Sequence, residues 1–114
     1  AVAVPAYVTN TEDDHRHVLD NAAVGYAIVS RAALAAVLAP AAAASARCRT
    51  LIAMEAFESA APALEVVAWD TVLETGAKAP RPLAERIDGI ARDDLAVIFH
   101  TSGTGGRPRG VMLT

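Results

Sequence analysis

Short apolar runs separated by stretches with helical spacing constrain this chain more than any other feature. Tyr26–Val29, Leu51–Met54, Val66–Trp69 and Leu95–Phe99 each have strand length and are too short for independent helices. Ala1–Tyr7 reads as a further short strand with Pro5 at or near its end. Between them, Thr11 with Asp14 three residues later forms a capping signature, Glu12, Asp13 and Asp14 suit the positive end of a helix, and Gly25 is placed to stop it. His15, Val18, Leu19 and Ala22 share one face of that helix.

Ser30 can cap a second helix carrying Leu34, Val37 and Leu38 on one stripe, although Pro40 argues against its running on through the alanines. Asp70 can cap a short helix, Thr71–Thr75, ending at Gly76. Lys78–Pro82 reads as a linker, and a helical turn is expected over Ala84–Ile90. Strands alternating with helices predict an α/β fold with a mostly parallel sheet covered on both faces.

The last strand runs into a different chemistry. After Leu95–Phe99 comes His100-Thr-Ser-Gly-Thr-Gly-Gly-Arg-Pro-Arg-Gly110, then Val111–Leu113, which reads as a returning strand. Glycines at 103, 105, 106 and 110 let the backbone take positive φ and turn several N–H groups toward one anion. Thr101, Ser102 and Thr104 offer hydroxyls, and Arg107 and Arg109 offer charged donors. A Walker A loop needs Lys-Ser or Lys-Thr after its last glycine, whereas Val111 and Met112 follow Gly110. The dinucleotide fingerprint fails because Pro108 stands where its last glycine should be.

Thr101–Val111 closely resembles the Thr-Ser-Gly-Thr-Thr-Gly-x-Pro-Lys-Gly-Val signature of the adenylate-forming superfamily, agreeing at nine of eleven positions when the free one is counted. Gly105 replaces a threonine, and Arg109 replaces the usual lysine, keeping the charge but exchanging a compact ammonium for a planar fork. Less specifically, Val4–Thr11 followed by an acidic helix and Ala23–Ser30 looks like a segment of fatty acyl-CoA synthetases.

The resemblance implies that residues 1–114 are part of the large N-terminal AMP-binding domain, with the phosphate loop at 101–110 and the small C-terminal domain beyond Thr114. It implies that Thr101, Ser102, Gly103, Thr104, Gly105, Gly106 and Arg109 hold the β- and γ-phosphates of ATP. The implied parent enzyme is a long-chain fatty acid-CoA ligase using ATP, Mg2+ and CoA, with the catalytic residues elsewhere and this stretch inactive alone. Adenylation feeding a carrier protein, a nucleotide-binding module without chemistry, and a plain glycine-rich surface hairpin are the alternatives.

The chain's other features exclude more than they assign. A net charge of −3 with scattered arginines gives no nucleic-acid surface. A single cysteine, Cys48, excludes an internal disulfide and favours an intracellular, cytoplasmic setting. The alanine-rich run Ala32–Ala46 is too short and too weakly apolar to span a bilayer, which leaves only peripheral membrane contact. His15 and His17, two apart, should face different ways and not share a metal. Asp13–Asp14 and Asp93–Asp94 read as capping acids, Tyr7 and Trp69 as core or boundary aromatics, and His100 as a packing or positioning group.

Overall fold

The capping signature at Thr11 forms as expected. In the computed structural model, which describes residues 1–79, 82–102 and 106–114, the Asp14 amide donates to Thr11 Oγ1 (3.3 Å) and the Thr11 amide donates to Asp14 Oδ2 (2.9 Å). This box opens α1 (Glu12–Asn21). The helix does not run to Gly25. It ends where Val24 N–H bonds Leu19 O (2.9 Å) and Ala23 N–H bonds Asp20 O (3.3 Å), the paired six-to-one and five-to-two bonds of a Schellman turn. Ala23 takes the left-handed conformation (φ 50°) that such a turn demands, a place usually given to glycine.

Three parallel strands follow, β1 (Tyr26–Val29), β2 (Thr50–Ala53) and β3 (Glu65–Ala68), paired in that order with Ile28 opposite Ile52 and Ile52 opposite Val67. The chain is therefore α/β with a parallel sheet, as expected. Among the described residues the expected cover on both faces is incomplete. Ala27, Val29, Leu51 and Ala53 are buried, whereas Tyr26 and Ile28, one residue out of phase, are 72% and 56% exposed.

The buried face lies under α2 (Ala32–Ala44). This helix runs straight through Pro40, contrary to the sequence reading. Pro40 and Ala36, whose carbonyl loses its partner, are both on the exposed side, where water can bond the freed oxygen. Ser30 does not cap α2 either. Arg31 occupies that position without a side-chain bond, and Glu55 Oε2 accepts from the Ala32 amide at 2.8 Å instead. At the far end Arg49 donates to the carbonyls of Ser45 (2.8 Å), Ala46 (3.1 Å) and Cys48 (3.2 Å), closing α2 with a side chain from the next strand's approach.

The core is built of small groups. Ala35, Ala41, Ala42, Cys48 and Leu51 are fully buried, and Leu38, Leu64 and Leu19 complete the cluster. One buried leucine contributes about 1.5–3 kcal/mol and an alanine much less, so many close contacts replace a few large ones. α1 packs on α2, with Leu19 in the shared core, and Ser45 Oγ donates to Asp20 Oδ1 at 2.7 Å, tying the two helix ends together.

The remaining elements are α3 (Trp69–Ala77), α4 (Leu83–Ile87) and an antiparallel pair, β4 (Val97–Thr101) with β5 (Arg109–Leu113). Trp69 starts α3 rather than ending a strand, Ala68 and not Asp70 is the cap, and the helix continues past Gly76 to Ala77. Pro80 and Arg81 of the expected linker lie outside the described residues. The expected first strand reduces to one parallel bridge, Ala3 to Val97, held by Ala3 N–H to Ala96 O and Ile98 N–H to Ala3 O, each 2.9 Å. Tyr7 is 66% exposed and not a core aromatic. Among the described residues no helix is long and apolar enough to cross a membrane.

Candidate phosphate-binding hairpin

β4 and β5 pair in full register, His100 opposite Gly110 and Thr101 opposite Arg109, so residues 102–108 close the connection between two fixed strand ends. The strand expected over Leu95–Phe99 is displaced toward the loop, with Val97 and Ile98 half-buried and alternation only from Phe99 onward. Phe99 is 41% exposed, whereas His100 is 5% exposed.

Of the seven residues expected at the phosphates, Thr101, Ser102, Gly106 and Arg109 are described, and all four are exposed. Gly103, Thr104 and Gly105 lie outside the described residues. Neither Gly106 nor Gly110 takes a positive φ, so the freedom expected there is not used. Gly110 has a different reason. A Cβ at that position would stand 2.8 Å from Ile98 Cγ2, 3.4 Å from Asn21 Oδ1 and 3.5 Å from His100 Nε2.

The last turns of α1 pack against this hairpin. His17 Nε2–H donates to the Pro108 carbonyl at 2.7 Å, and His100 Nε2–H donates to Asn21 Oδ1 at 3.0 Å. The two imidazoles meet edge to face, with centroids 6.1 Å apart and planes at 80°. His100 Nδ1 is buried and has no partner among the described residues, which suits a lone pair and disfavours an imidazolium. Burial pushes the His100 imidazole below the ordinary histidine value, and the charge of His17 adds to the effect.

Charge is balanced beside the hairpin and unbalanced at its edge. A cleft of about 560 Å³ is lined by Asp13, Arg16, His17, Asp20, Asn21 and Arg107. Its two carboxylates offset its two guanidiniums. Arg16 lies 3.8 Å from Asp20, and Arg107 lies 3.7 Å from Asp13 with both groups more than two-thirds exposed. Such a pair is worth about 0–1 kcal/mol, so a doubly charged phosphate can draw Arg107 away from Asp13. Arg109 has no carboxylate within ion-pair distance among the described residues, which leaves its five donors for an anion. A second cleft, of about 340 Å³, opens beside Ser102 and Pro108 and is walled by His100, Asp14 and Tyr7.

The side chains that brace the β4–β5 connection do not show in the sequence. His17 and Asn21 bond residues 91 and 79 positions away, beyond any local pattern. The usable signal was the polar stripe Asp13, His17, Asn21 at a spacing of four, with Arg16 and Asp20 beside it.

His15 faces the other way, as expected, but it is 8% exposed and so buried. Desolvation pushes its imidazole down and Asp14 pushes it partly back. Among the described residues no cluster of three or more His, Cys, Asp or Glu can hold a metal. Asp14 serves the α1 cap, its carboxyl held below the ordinary value by bonds from Thr11, and Asp94 accepts from the Ala91 amide. Burial pushes the Cys48 thiol up, which makes it a poor nucleophile at neutral pH.

Comparison with protein-family models matches residues 1–114 to the family described as AMP-binding enzyme. A search of curated proteins gave no match.

Proposed function

The chain belongs to the AMP-binding enzyme family, and from that premise we propose that it forms the phosphate-holding part of an AMP-forming fatty acid-CoA ligase. Adenylate formation follows from the family; the acyl substrate and the phosphate loop are our reading. What carries that reading is the Thr101–Val111 sequence joining β4 to β5, with Arg109 lacking a carboxylate within ion-pair distance among the described residues.

In the proposed reaction a fatty carboxylate oxygen bonds to the α-phosphorus of ATP as the bond to the β-phosphate oxygen breaks. Pyrophosphate leaves, and the CoA thiolate then displaces AMP from the acyl-adenylate. Negative charge builds on the bridging oxygen of the leaving group. Thr101, Ser102, the loop amides and Arg109 hold the β- and γ-phosphates and offset that charge, an effect worth about 3 kcal/mol per well-placed donor in other enzymes. Gly103, Thr104, Gly105 and Gly106 complete the proposed cradle.

Mg2+ binds phosphate oxygens and water readily and needs few protein carboxylates, so it accompanies ATP as part of the substrate. We assign none of the described residues to it. We place the acyl pocket, the adenine contacts and the catalytic lysine of the C-terminal domain outside residues 1–114, so this stretch alone does not ligate. The fatty-acyl reading rests on the likeness of Val4–Thr11 and Ala23–Ser30 to fatty acyl-CoA synthetases.

The test is carboxylate-dependent pyrophosphate exchange by the full-length enzyme, with fatty, aryl and amino acids compared. Arg109→Ala should raise the KM for ATP about tenfold or more, the loss of a charge-assisted bond worth about 1.5–3 kcal/mol. Unchanged ATP kinetics would remove Arg109 from the phosphate site, and a preference for amino acids would replace the fatty-acid reading with carrier-protein loading.

A further inference from the structure

The face of α1 turned to the hairpin is mostly polar. Leu19 packs into the core on the other side and Val18 borders the second cleft beside Ser102 and Pro108, while Asp13, His17, Asp20 and Asn21 line the cleft against the loop. Two of these make short bonds to the hairpin, and each anchor sits one residue before an expected phosphate ligand: His100 before Thr101, and Pro108 before Arg109.

We propose that the last two turns of α1 position the phosphate loop, His17 holding its closing limb through the Pro108 carbonyl and Asn21 its opening limb through His100. The proposal rests on the phosphate-binding reading of the hairpin.

The physical link runs through the peptide plane. The Pro108 carbonyl and the Arg109 N–H belong to one planar unit, so a donor that fixes the carbonyl also fixes where that N–H points and where Arg109 starts. At the other limb, seating the His100 ring inward turns Thr101 outward, because adjacent strand residues face opposite sides. The clamp stands on a firm mount. α1 is closed at one end by the Thr11–Asp14 box and at the other by the Schellman turn, and Asp20 ties it to Ser45 beyond α2. Arg107–Asp13 is a third tether, too exposed to set geometry alone.

Three variants of the full-length enzyme, His17→Ala, His17→Gln and Arg109→Ala, decide it. The readouts are calorimetric binding of Mg-ATP and of pyrophosphate, KM for ATP and for the carboxylate, and thermal unfolding without ligand. His17→Ala should weaken Mg-ATP and pyrophosphate roughly three- to tenfold, the net worth of one hydrogen bond, and leave the carboxylate KM unchanged. His17→Gln, which returns an N–H donor of similar reach, should restore most of the loss.

Wild-type affinity in His17→Ala alongside weakened binding in Arg109→Ala would overturn the positioning role and spare the loop reading. Wild-type affinity in both would overturn the loop reading and this proposal with it. A fall in melting temperature with both KM values raised together, unrescued by glutamine, would make His17 a general packing residue and overturn the proposal.

Discussion

Gly110→Ala is the most informative single change, because the distances fix what it must displace. Its new Cβ would lie 2.8 Å from Ile98 Cγ2, whereas carbon atoms rest at about 3.5–4.0 Å, so roughly an ångström must be found. Ile98 cannot yield cheaply: Cγ2 hangs directly on a β-branched carbon whose rotamer is stiff. His100, the next nearest along β4, is buried and bonded to Asn21.

The strands must therefore part, at a cost of about 1–3 kcal/mol, the usual range for overpacking. Unfolding of the full-length enzyme, followed by heat or denaturant, measures the cost directly, and Mg-ATP binding measures its effect on the loop. Ile98→Ala removes the clashing methyl, so the double variant should be less destabilised than the sum of the singles by about 1 kcal/mol or more. Additive single effects, or a Gly110→Ala protein within about 0.5 kcal/mol of wild type with unchanged ATP affinity, would refute the contact and the reason given for this glycine.

Two further outcomes follow from the helix end and the buried imidazoles. Ala23→Gly should stabilise the protein by about 0.5–1 kcal/mol, since the left-handed backbone costs an alanine about 1–2 kcal/mol and glycine's extra chain entropy returns part of it; a lower melting temperature would contradict the assigned turn. His15 and His100 both titrate below 6.5 in the folded chain, so below pH 6.5 the unfolded state binds more protons. Stability should be fully present above pH 6.5 and decline as pH falls through the folded values. A melting temperature flat from pH 7 to 5, or His15→Gln and His100→Gln variants that keep the full acid sensitivity, would count against these groups.

Local chemistry made much of the fold legible. Thr11 and Asp14 specify a helix start by themselves, and Tyr26–Val29 is bounded so closely that its strand is predicted to the residue. Errors arose where a distant group overrode a local preference. Glu55 caps α2 in place of Ser30, solvent relieves Pro40, and the turn after α1 places Ala23 where glycine is favoured. The family was legible because the order of glycines, hydroxyls and proline in Thr101–Val111 is rare. Gly103, Thr104 and Gly105 lie outside the described residues, and the brace of His17 and Asn21 escaped notice because its partners are remote in the chain.

Methyl groups set the spacing between the layers of this protein. With Ala35, Ala41 and Ala42 wholly enclosed, α2 stands as near the strands as side chains allow, and α1 leans on it with its end pinned by Ser45. A bulkier residue at any of those alanines would work as a wedge. It would lift one helix, tilt the other through the pin, and draw His17 and Asn21 off the hairpin, so the tuning of a polar site can depend on the thinness of an apolar seam well away from it.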